Sequence, residues 1–120
     1  MKRLFLAAAA AMLIWSAAIR AEDIAQGRAL FERRCGGCHA LDRDKEGPRL
    51  GGVFGRAAGV VASFDYSEAL RKSGLKWNAK TLDRWLAGPE TVVPATDMNF
   101  RVPDPAERQA IIAFLRSKGK

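Results

Sequence analysis

A C-x-x-C-H motif, Cys35-Gly36-Gly37-Cys38-His39, constrains the folding of this chain more than any other feature of its sequence. Two thiols at this spacing can each form a thioether with one vinyl group of a single porphyrin, and the imidazole of the next residue then lies over the iron. The chain has no other cysteine and no other histidine. The motif therefore predicts one covalently attached c-type haem, joined to Cys35 and Cys38, with His39 as an iron ligand.

Three other chemistries use similar residues. A thioredoxin-like redox pair needs a preceding strand and a β-α-β pattern, and the sequence shows neither. A structural zinc site normally takes four nitrogen or sulfur ligands, which two cysteines and one histidine cannot supply. A plain disulfide between Cys35 and Cys38 in an exported protein remains open.

The first residues have the pattern of a secretory signal. Lys2 and Arg3 precede an apolar, alanine-rich run from Leu4 to Ile19 that only Ser16 interrupts. A short positive segment followed by an apolar one is typical of an export signal, and the run is shorter than the roughly 18 apolar residues expected of a membrane-spanning helix. We therefore predict export to the periplasm, which also suits haem attachment. An uncleaved membrane anchor is the alternative.

Cleavage of the signal would leave a small domain with one methionine. Small residues allow cleavage after Ala18 or after Ala21, and we favour Ala21. The prediction is a cleaved signal peptide over residues 1–21 and one domain over residues 22–120. Met98 is then the only methionine. Because a thioether is one of the few side-chain groups that can complete a low-spin haem iron, His39 and Met98 are the expected axial ligands.

The charge of the chain argues against one class of partner. Removal of the signal takes three basic residues and lowers the formal charge from +7 to +4. Nucleic-acid binding would need a basic patch together with a reading element, and the sequence shows neither. A moderately basic face that steers an acidic protein partner is a better use of this charge.

Capping residues and apolar periodicity predict four helices separated by two irregular stretches. Residues 40–63 are punctuated by glycine and proline, and residues 89–103 carry Met98 without a helical or strand period. Long irregular segments in a small domain usually have a function, and wrapping a flat cofactor accounts for these. The predicted helices run from Asp23 to about Arg34, from Ser67 to Ser73, from the cap Asn78 to Ala87, and from the cap Asp104 to about Ser117.

Further motifs, spread over most of the chain, indicate a family. They are Gly27-x-x-x-Phe31, Cys35 to His39, Gly47-Pro48-x-Leu50-x-Gly52-x-Phe54-Gly55-Arg56-x-x-Gly59, Phe64-x-Tyr66-Ser67-x-Ala69, Trp77, Leu86, Pro89 and Met98. With these residues the chain resembles the class I cytochromes c over nearly all of residues 23–118, most of all their mitochondrial-like bacterial branch. The resemblance implies an all-α cytochrome c fold, in which short helices and long loops surround one covalently attached haem and the N- and C-terminal helices cross.

The resemblance also implies roles for individual residues. His39 and Met98 would ligate the iron from opposite faces, and the Pro48 carbonyl would accept the Nδ1 proton of His39. Four residues match family positions that hydrogen-bond or screen the haem propionates, namely Arg56, Tyr66, Trp77 and Thr96. The predicted cofactor-binding set is thus Cys35, Cys38, His39, Met98, Pro48, Arg56, Tyr66, Trp77 and Thr96.

Two departures from the family pattern bear on the partner and on the iron. Trp85 stands where the family usually has a tyrosine near the methionine sulfur. Arg34, beside the first cysteine, keeps its positive charge. Where mitochondrial relatives carry lysines around the methionine, however, this chain has Glu90, Thr91 and Asp97. A docking face of mixed charge is therefore expected.

These features together predict a one-electron carrier rather than an enzyme. Two axial ligands leave the iron no open site for a substrate, and electrons would cross at the haem edge during brief contacts with other redox proteins. Expected donors are a cytochrome bc1-type complex or a periplasmic dehydrogenase, and the expected acceptor is a terminal oxidase. A monomer is expected, with membrane contact only through partners and no nucleic acid. The alternative is a haem-based sensor of small ligands or a peroxidase, with an open or labile sixth position at the iron.

Overall fold

The structure, a computed structural model, describes residues 12, 14 and 20–119. Helix α1 covers residues 20–30 and continues into a π-helical turn, Phe31–Cys35. Four helices follow it, namely α2 (Glu68–Arg71), α3 (Ala79–Ala87), α4 (Pro89–Val92) and α5 (Pro105–Ser117).

The all-α prediction is confirmed. Within the described residues the only β-type pairing is an isolated antiparallel bridge between Ala57 and Lys76. In the same part of the chain, no helix has both the length and the hydropathy needed to cross a membrane.

The four predicted helices are present, and the differences lie mostly at their ends. The predicted start at Asp23 is wrong, because residues 20–22 are already helical. The second helix is shorter than predicted, with Ser67 as its cap and four residues in its body. Helix α4 lies in a stretch expected to be irregular. It begins at Pro89, which is favourable because the first residue of a helix needs no N–H for the helical ladder.

Side-chain caps fix where α3 and α5 begin. The Asn78 side chain accepts a hydrogen bond from the Thr81 N–H at 2.9 Å, and the Thr81 hydroxyl accepts one from the Asn78 N–H at 2.9 Å. At α5 the Asp104 carboxylate accepts from a backbone N–H two residues on. The Glu107 carboxylate does not return to this cap but pairs with the Arg34 guanidinium of α1, at 3.0 Å. A tertiary contact thus replaces the local capping box that the sequence pattern predicts.

Helices α1 and α5 approach each other closely at Gly27. A Cβ atom at Gly27 would overlap the backbone carbonyl of Ala110 and would lie 2.9 Å from the Cβ of Phe114. One turn further along α1, the ring of Phe31 packs on that of Phe114 with centroids 5.4 Å apart. Glycine at position 27 therefore allows the two terminal helices to meet and form one side of the core.

The apolar core lies between α1, α3 and α5 and extends to the segment that follows α4. Val102 and Ile111 have no exposed surface, and Phe114 is 2% exposed. Other core residues, among them Leu82, Trp85, Leu86 and Leu115, are buried to a similar degree. The core is therefore built largely by α3 and α5.

The long segment between α1 and α2 is held by close backbone packing. Gly59 has a φ of +74°, and a Cβ there would lie 2.9 Å from the Cα of Arg71. Only glycine combines this left-handed backbone with so close an approach. The segment therefore lies directly against α2, which brings Tyr66 into the interior.

We expect Gly27→Ala to destabilise the protein, because the added methyl group meets rigid backbone of α5. Overpacking costs about 1–3 kcal/mol, which exceeds the gain of about 1 kcal/mol from higher helix propensity. The melting temperature should fall by several degrees. Gly37→Ala is the matched control, because a Cβ at Gly37 has no neighbour within 4 Å. An equal melting temperature for the two variants would contradict the packing account.

Candidate haem site

One cavity of about 360 Å³ brings together all nine residues of the predicted cofactor-binding set. This size falls in the range of roughly 300–1,000 Å³ that is usual for small-molecule and cofactor sites. The rest of its wall is mainly apolar and comes from the core and from the segments around it. These additional wall residues include Leu50, Val53, Phe64, Leu70, Leu82, Trp85, Leu86, Ile111 and Leu115.

The C-x-x-C-H segment is shaped by a tight turn at the end of α1. The Cys38 and His39 N–H groups both donate to the Cys35 carbonyl, at 3.1 and 2.8 Å. Both cysteines are free thiols, with Cys35 half-buried and Cys38 exposed. Burial raises the pKa of the Cys35 thiol to about 11, an effect that the neighbouring Arg34 opposes. The turn thus presents two thiols and an imidazole to one cavity.

The His39 ring is held in one orientation and one tautomer. Its Nδ1 lies 2.8 Å from the Pro48 carbonyl oxygen. A carbonyl can only accept, so Nδ1 carries the proton and Nε2 keeps a free lone pair. A Cβ at Gly47 would overlap the ring, so glycine is needed beneath it. Burial lowers the pKa of His39, partly offset by the bond to Pro48, which favours the neutral, metal-binding form.

Met98 has a hydrogen-bonded sulfur. The indole N–H of Trp85 donates to Met98 Sδ at 3.2 Å. The Trp85 ring also packs edge-on against the ring of Trp77, with centroids 5.2 Å apart and an interplanar angle of 69°. This contact and its position in α3 fix the indole, so the side chain that replaces the usual tyrosine still reaches the sulfur.

A network from α5 holds the chain just beyond Met98. The Arg108 guanidinium pairs with Asp83 of α3 at 2.8 Å and donates to the carbonyls of Val102 and Pro103 at 3.0 and 2.8 Å. The Val102 N–H donates in turn to a carbonyl near the end of α3, at 2.8 Å. The Arg108 side chain is only 12% exposed. The methionine-bearing segment is thus attached to both large helices of the core.

Hydrogen-bond donors without an anionic partner collect in another part of the cavity wall. Arg56 is partly buried and donates only to backbone carbonyls, and burial lowers the pKa of its guanidinium. The Tyr66 hydroxyl accepts from the Val61 N–H at 3.2 Å, which leaves its own proton available. Trp77 is buried, and in the part of the chain that the structure describes its indole N–H makes no hydrogen bond. These donors suit the carboxylates of a haem.

The cavity therefore fits a haem in three independent respects. Its apolar walls match the porphyrin, its donor cluster around Arg56 matches the propionates, and its turn places two thiols beside a neutral imidazole. Met98 supplies a soft sulfur that suits iron.

Two residues that build the site escaped sequence analysis. Arg108 and Asp83 lie 25 positions apart, and each has the polar character of an ordinary helix surface. No local pattern indicates that they meet, because their contact depends on how α3 and α5 pack.

Comparisons with known proteins identify the class to which this fold and cavity belong. The family model described as cytochrome c matches residues 24–118. Cytochrome c2 of Rhodomicrobium vannielii is 38% identical over 123 residues, covering 98% of each chain. Cytochrome c of Chlamydomonas reinhardtii is 37% identical over 100 residues, 80% of this chain and 89% of the relative. The solved structure of cytochrome cH from Methylobacterium extorquens superimposes with a TM-score of 0.74 at 40% identity, covering 78% of this chain and 97% of that one.

The fold and the site define a helical protein that encloses a c-type haem. The chain belongs to the cytochrome c family and is a class I monohaem cytochrome c. Its members carry one covalently attached haem, and Cys35 and Cys38 are the cysteines of the attachment motif. The chain is accordingly a haem-based electron carrier and not an enzyme.

We expect Asp83→Ala to destabilise the protein, because it leaves the largely buried Arg108 guanidinium with carbonyl partners only. Loss of a hydrogen bond between charged groups costs about 1.5–3 kcal/mol. Asp65→Ala is the control, because Asp65 is an exposed aspartate outside this network. Denaturant unfolding of both haem-loaded variants measures the difference. Equal free energies of unfolding would show that the network contributes nothing to stability.

Proposed function

We propose that this protein is a periplasmic one-electron carrier in which His39 and Met98 are the axial ligands of the haem iron. The observation that carries the proposal is the hydrogen-bonded state of both side chains at one cavity. His39 donates from Nδ1 to Pro48, which leaves Nε2 for the metal, and the Met98 sulfur is oriented by Trp85. When bound, the haem supplies the one-electron couple.

The protein side chains influence the reduction potential of the iron. The Pro48 carbonyl fixes the His39 ring and makes it a stronger base. The Trp85 N–H withdraws electron density from the Met98 sulfur, which favours the reduced iron. Apolar walls exclude water from the cavity, so little solvent must rearrange when the charge changes. Each of these effects acts within the cavity and requires no conformational change.

The cluster of donors has a separate task. Arg56, Tyr66 and Trp77 line the cavity together with Thr96. We assign them to the haem propionates, whose negative charge compensates the partly buried Arg56 guanidinium. These residues would hold the orientation of a haem that is attached at Cys35 and Cys38.

Export follows from the N-terminal pattern. The positive residues Lys2 and Arg3 and the apolar run behind them fit a secretory signal that is removed after Ala21. The mature carrier would then exchange electrons in the periplasm with redox proteins, among them a cytochrome bc1-type complex or a periplasmic dehydrogenase as donor and a terminal oxidase as acceptor. It would do so as a monomer.

Met98→Ala should abolish the weak methionine-to-iron charge-transfer band in the far red, because no other methionine remains in the mature chain. The reduced variant should also bind carbon monoxide, which the parent protein should not. Asn99→Ala is the control at the neighbouring exposed position. A parent protein that binds carbon monoxide readily would favour the alternative of a sensor or peroxidase with an open site.

Trp85→Phe should lower the reduction potential, because it removes the hydrogen bond that withdraws density from the sulfur. A hydrogen bond of about 1 kcal/mol corresponds to a shift of up to roughly 40 mV for one electron. The far-red band should move as well. Phe64→Leu is the control, because it changes another aromatic residue of the cavity wall that has no hydrogen bond to the sulfur. A band that shifts equally in both variants would contradict the assignment.

The exported protein should begin at Glu22. Intact-mass measurement of periplasmic protein should give the mass of residues 22–120 plus one haem, with no noncovalent loss of the haem under denaturing conditions. A chain that retains residues 1–21 and sediments with membranes would show that the segment is an anchor.

A further inference from the structure

The opening of the haem cavity can be located from exposure alone. Among the residues that line the cavity, those exposed to solvent are Cys38, Glu46, Asp97, Asn99 and Phe100. We call these five residues the mouth. They come from two segments, one at the haem-attachment turn and the loop after it, the other directly around Met98. A redox partner that contacts these residues would lie at the opening of the proposed haem site.

An exposed aromatic ring stands at the mouth. Phe100 is 43% exposed, although it is two residues from Met98 and lines the cavity. A single exposed apolar side chain is ordinary, and Val60, 54% exposed and away from the cavity, is an example. Phe100 differs in its position, because the ring connects the cavity wall to the surface where a partner must approach.

Two of the basic residues beside the mouth are paired with carboxylates. Arg34 pairs with Glu107 at 3.0 Å. Arg101, next to Phe100, pairs with Glu90. In the described part of the chain three exposed basic residues next to lining residues form no ion pair, namely Arg33, Lys45 and Arg49, and the Lys45 ammonium donates to the Gly36 carbonyl at 2.7 Å.

Two acidic residues of the mouth oppose these three basic residues. Glu46 and Asp97 are exposed, and within the described part of the chain neither forms an ion pair. The unpaired charges around the mouth are thus three basic and two acidic, so this surface is mixed in sign and close to neutral. Further exposed basic residues, which do not line the cavity, are Arg71, Lys76, Lys80, Arg84 and Arg116.

We propose that the mouth docks a redox protein whose own face is apolar at its centre and close to neutral around it, with Phe100 as the central contact. The proposal deepens the carrier function and rests on it. Electrostatic steering needs an excess of one sign of charge on the docking surface. The paired charges and the mixed signs of the unpaired ones leave little such excess at this mouth, whereas an aromatic ring contributes binding energy without it.

Two oxidants of opposite charge test the charge balance. The reduced, haem-loaded mature protein is mixed with hexacyanoferrate(III), an anion, or with tris(phenanthroline)cobalt(III), a cation, at ionic strengths from about 0.1 to 0.5 M, where charges act over roughly 10 Å or less. We expect each rate to change by less than about threefold over this range, in line with weak local charge. A steep fall with the anion and a rise with the cation would overturn the proposal. If both probes oxidise the protein, the proposed carrier function stands, whatever the salt dependence of the rates.

Matched charge variants locate the effect. Asp97→Asn and Asp65→Asn change the net charge equally, but only Asp97 belongs to the mouth. Asp97→Asn should increase the rate of oxidation by the anion, and also the dependence of that rate on salt. Both increases should be severalfold larger than those caused by Asp65→Asn. Equal effects would overturn the proposal. If Asp97→Asn loses the far-red band, Glu46→Gln at the mouth replaces it, with Glu68→Gln as its control.

Electron self-exchange between two copies tests the aromatic contact. The mouth itself has the chemistry proposed for the partner, so a second copy is a suitable probe. Nuclear magnetic resonance line broadening in mixtures of oxidised and reduced protein gives the exchange rate. Phe100→Ser should slow exchange at least about fivefold, as expected for loss of a central aromatic contact, while Val60→Ser should leave it unchanged. Equal rates in the two variants would overturn the role of Phe100. Loss of the far-red band in the parent protein would instead count against the axial ligands.

Discussion

The walls of the haem cavity are also the core of the protein, and the rest of the structure depends on this constraint. Leu82, Trp85, Ile111 and Leu115 pack on one another and at the same time line the cavity. A domain of this size buries little apolar surface by itself, so a haem in the cavity completes the core. Covalent attachment near Cys35 then has a structural purpose, because it keeps that part of the core from dissociating.

The terminal helices and the irregular segments have different structural roles. Helices α1 and α5, in contact at Gly27, hold the attachment turn against the core. The irregular segments carry His39 and Met98, the proposed iron ligands. Each is held by a hydrogen bond, since His39 donates to the Pro48 carbonyl and Met98 accepts from the Trp85 indole. Regular elements thus supply rigidity, and loops supply the shape that a flat cofactor requires.

Sequence patterns foresaw the parts of this structure that depend on local chemistry. The capping residue Asn78 and the C-x-x-C-H spacing act over a few residues, so their effects do not depend on how distant parts of the chain pack together. Family resemblance indicated the members of the cavity wall. Contacts that depend on packing were not foreseeable. Glu107 has the spacing of a capping box yet pairs with Arg34, and Arg108 meets Asp83 only because α3 and α5 come together. The balance of charge at the mouth likewise depends on packing and was not predictable from the sequence.

The most direct measurement of the central claim is iron X-ray absorption on protein labelled with selenomethionine. Protein produced as residues 22–120 has a single methionine, Met98, so any selenium bound to iron must come from that residue. The account predicts one selenium scatterer in the first shell of the iron, together with nitrogens of the porphyrin and of His39, in both oxidation states. A first shell without selenium, or with an oxygen in its place, would contradict the account.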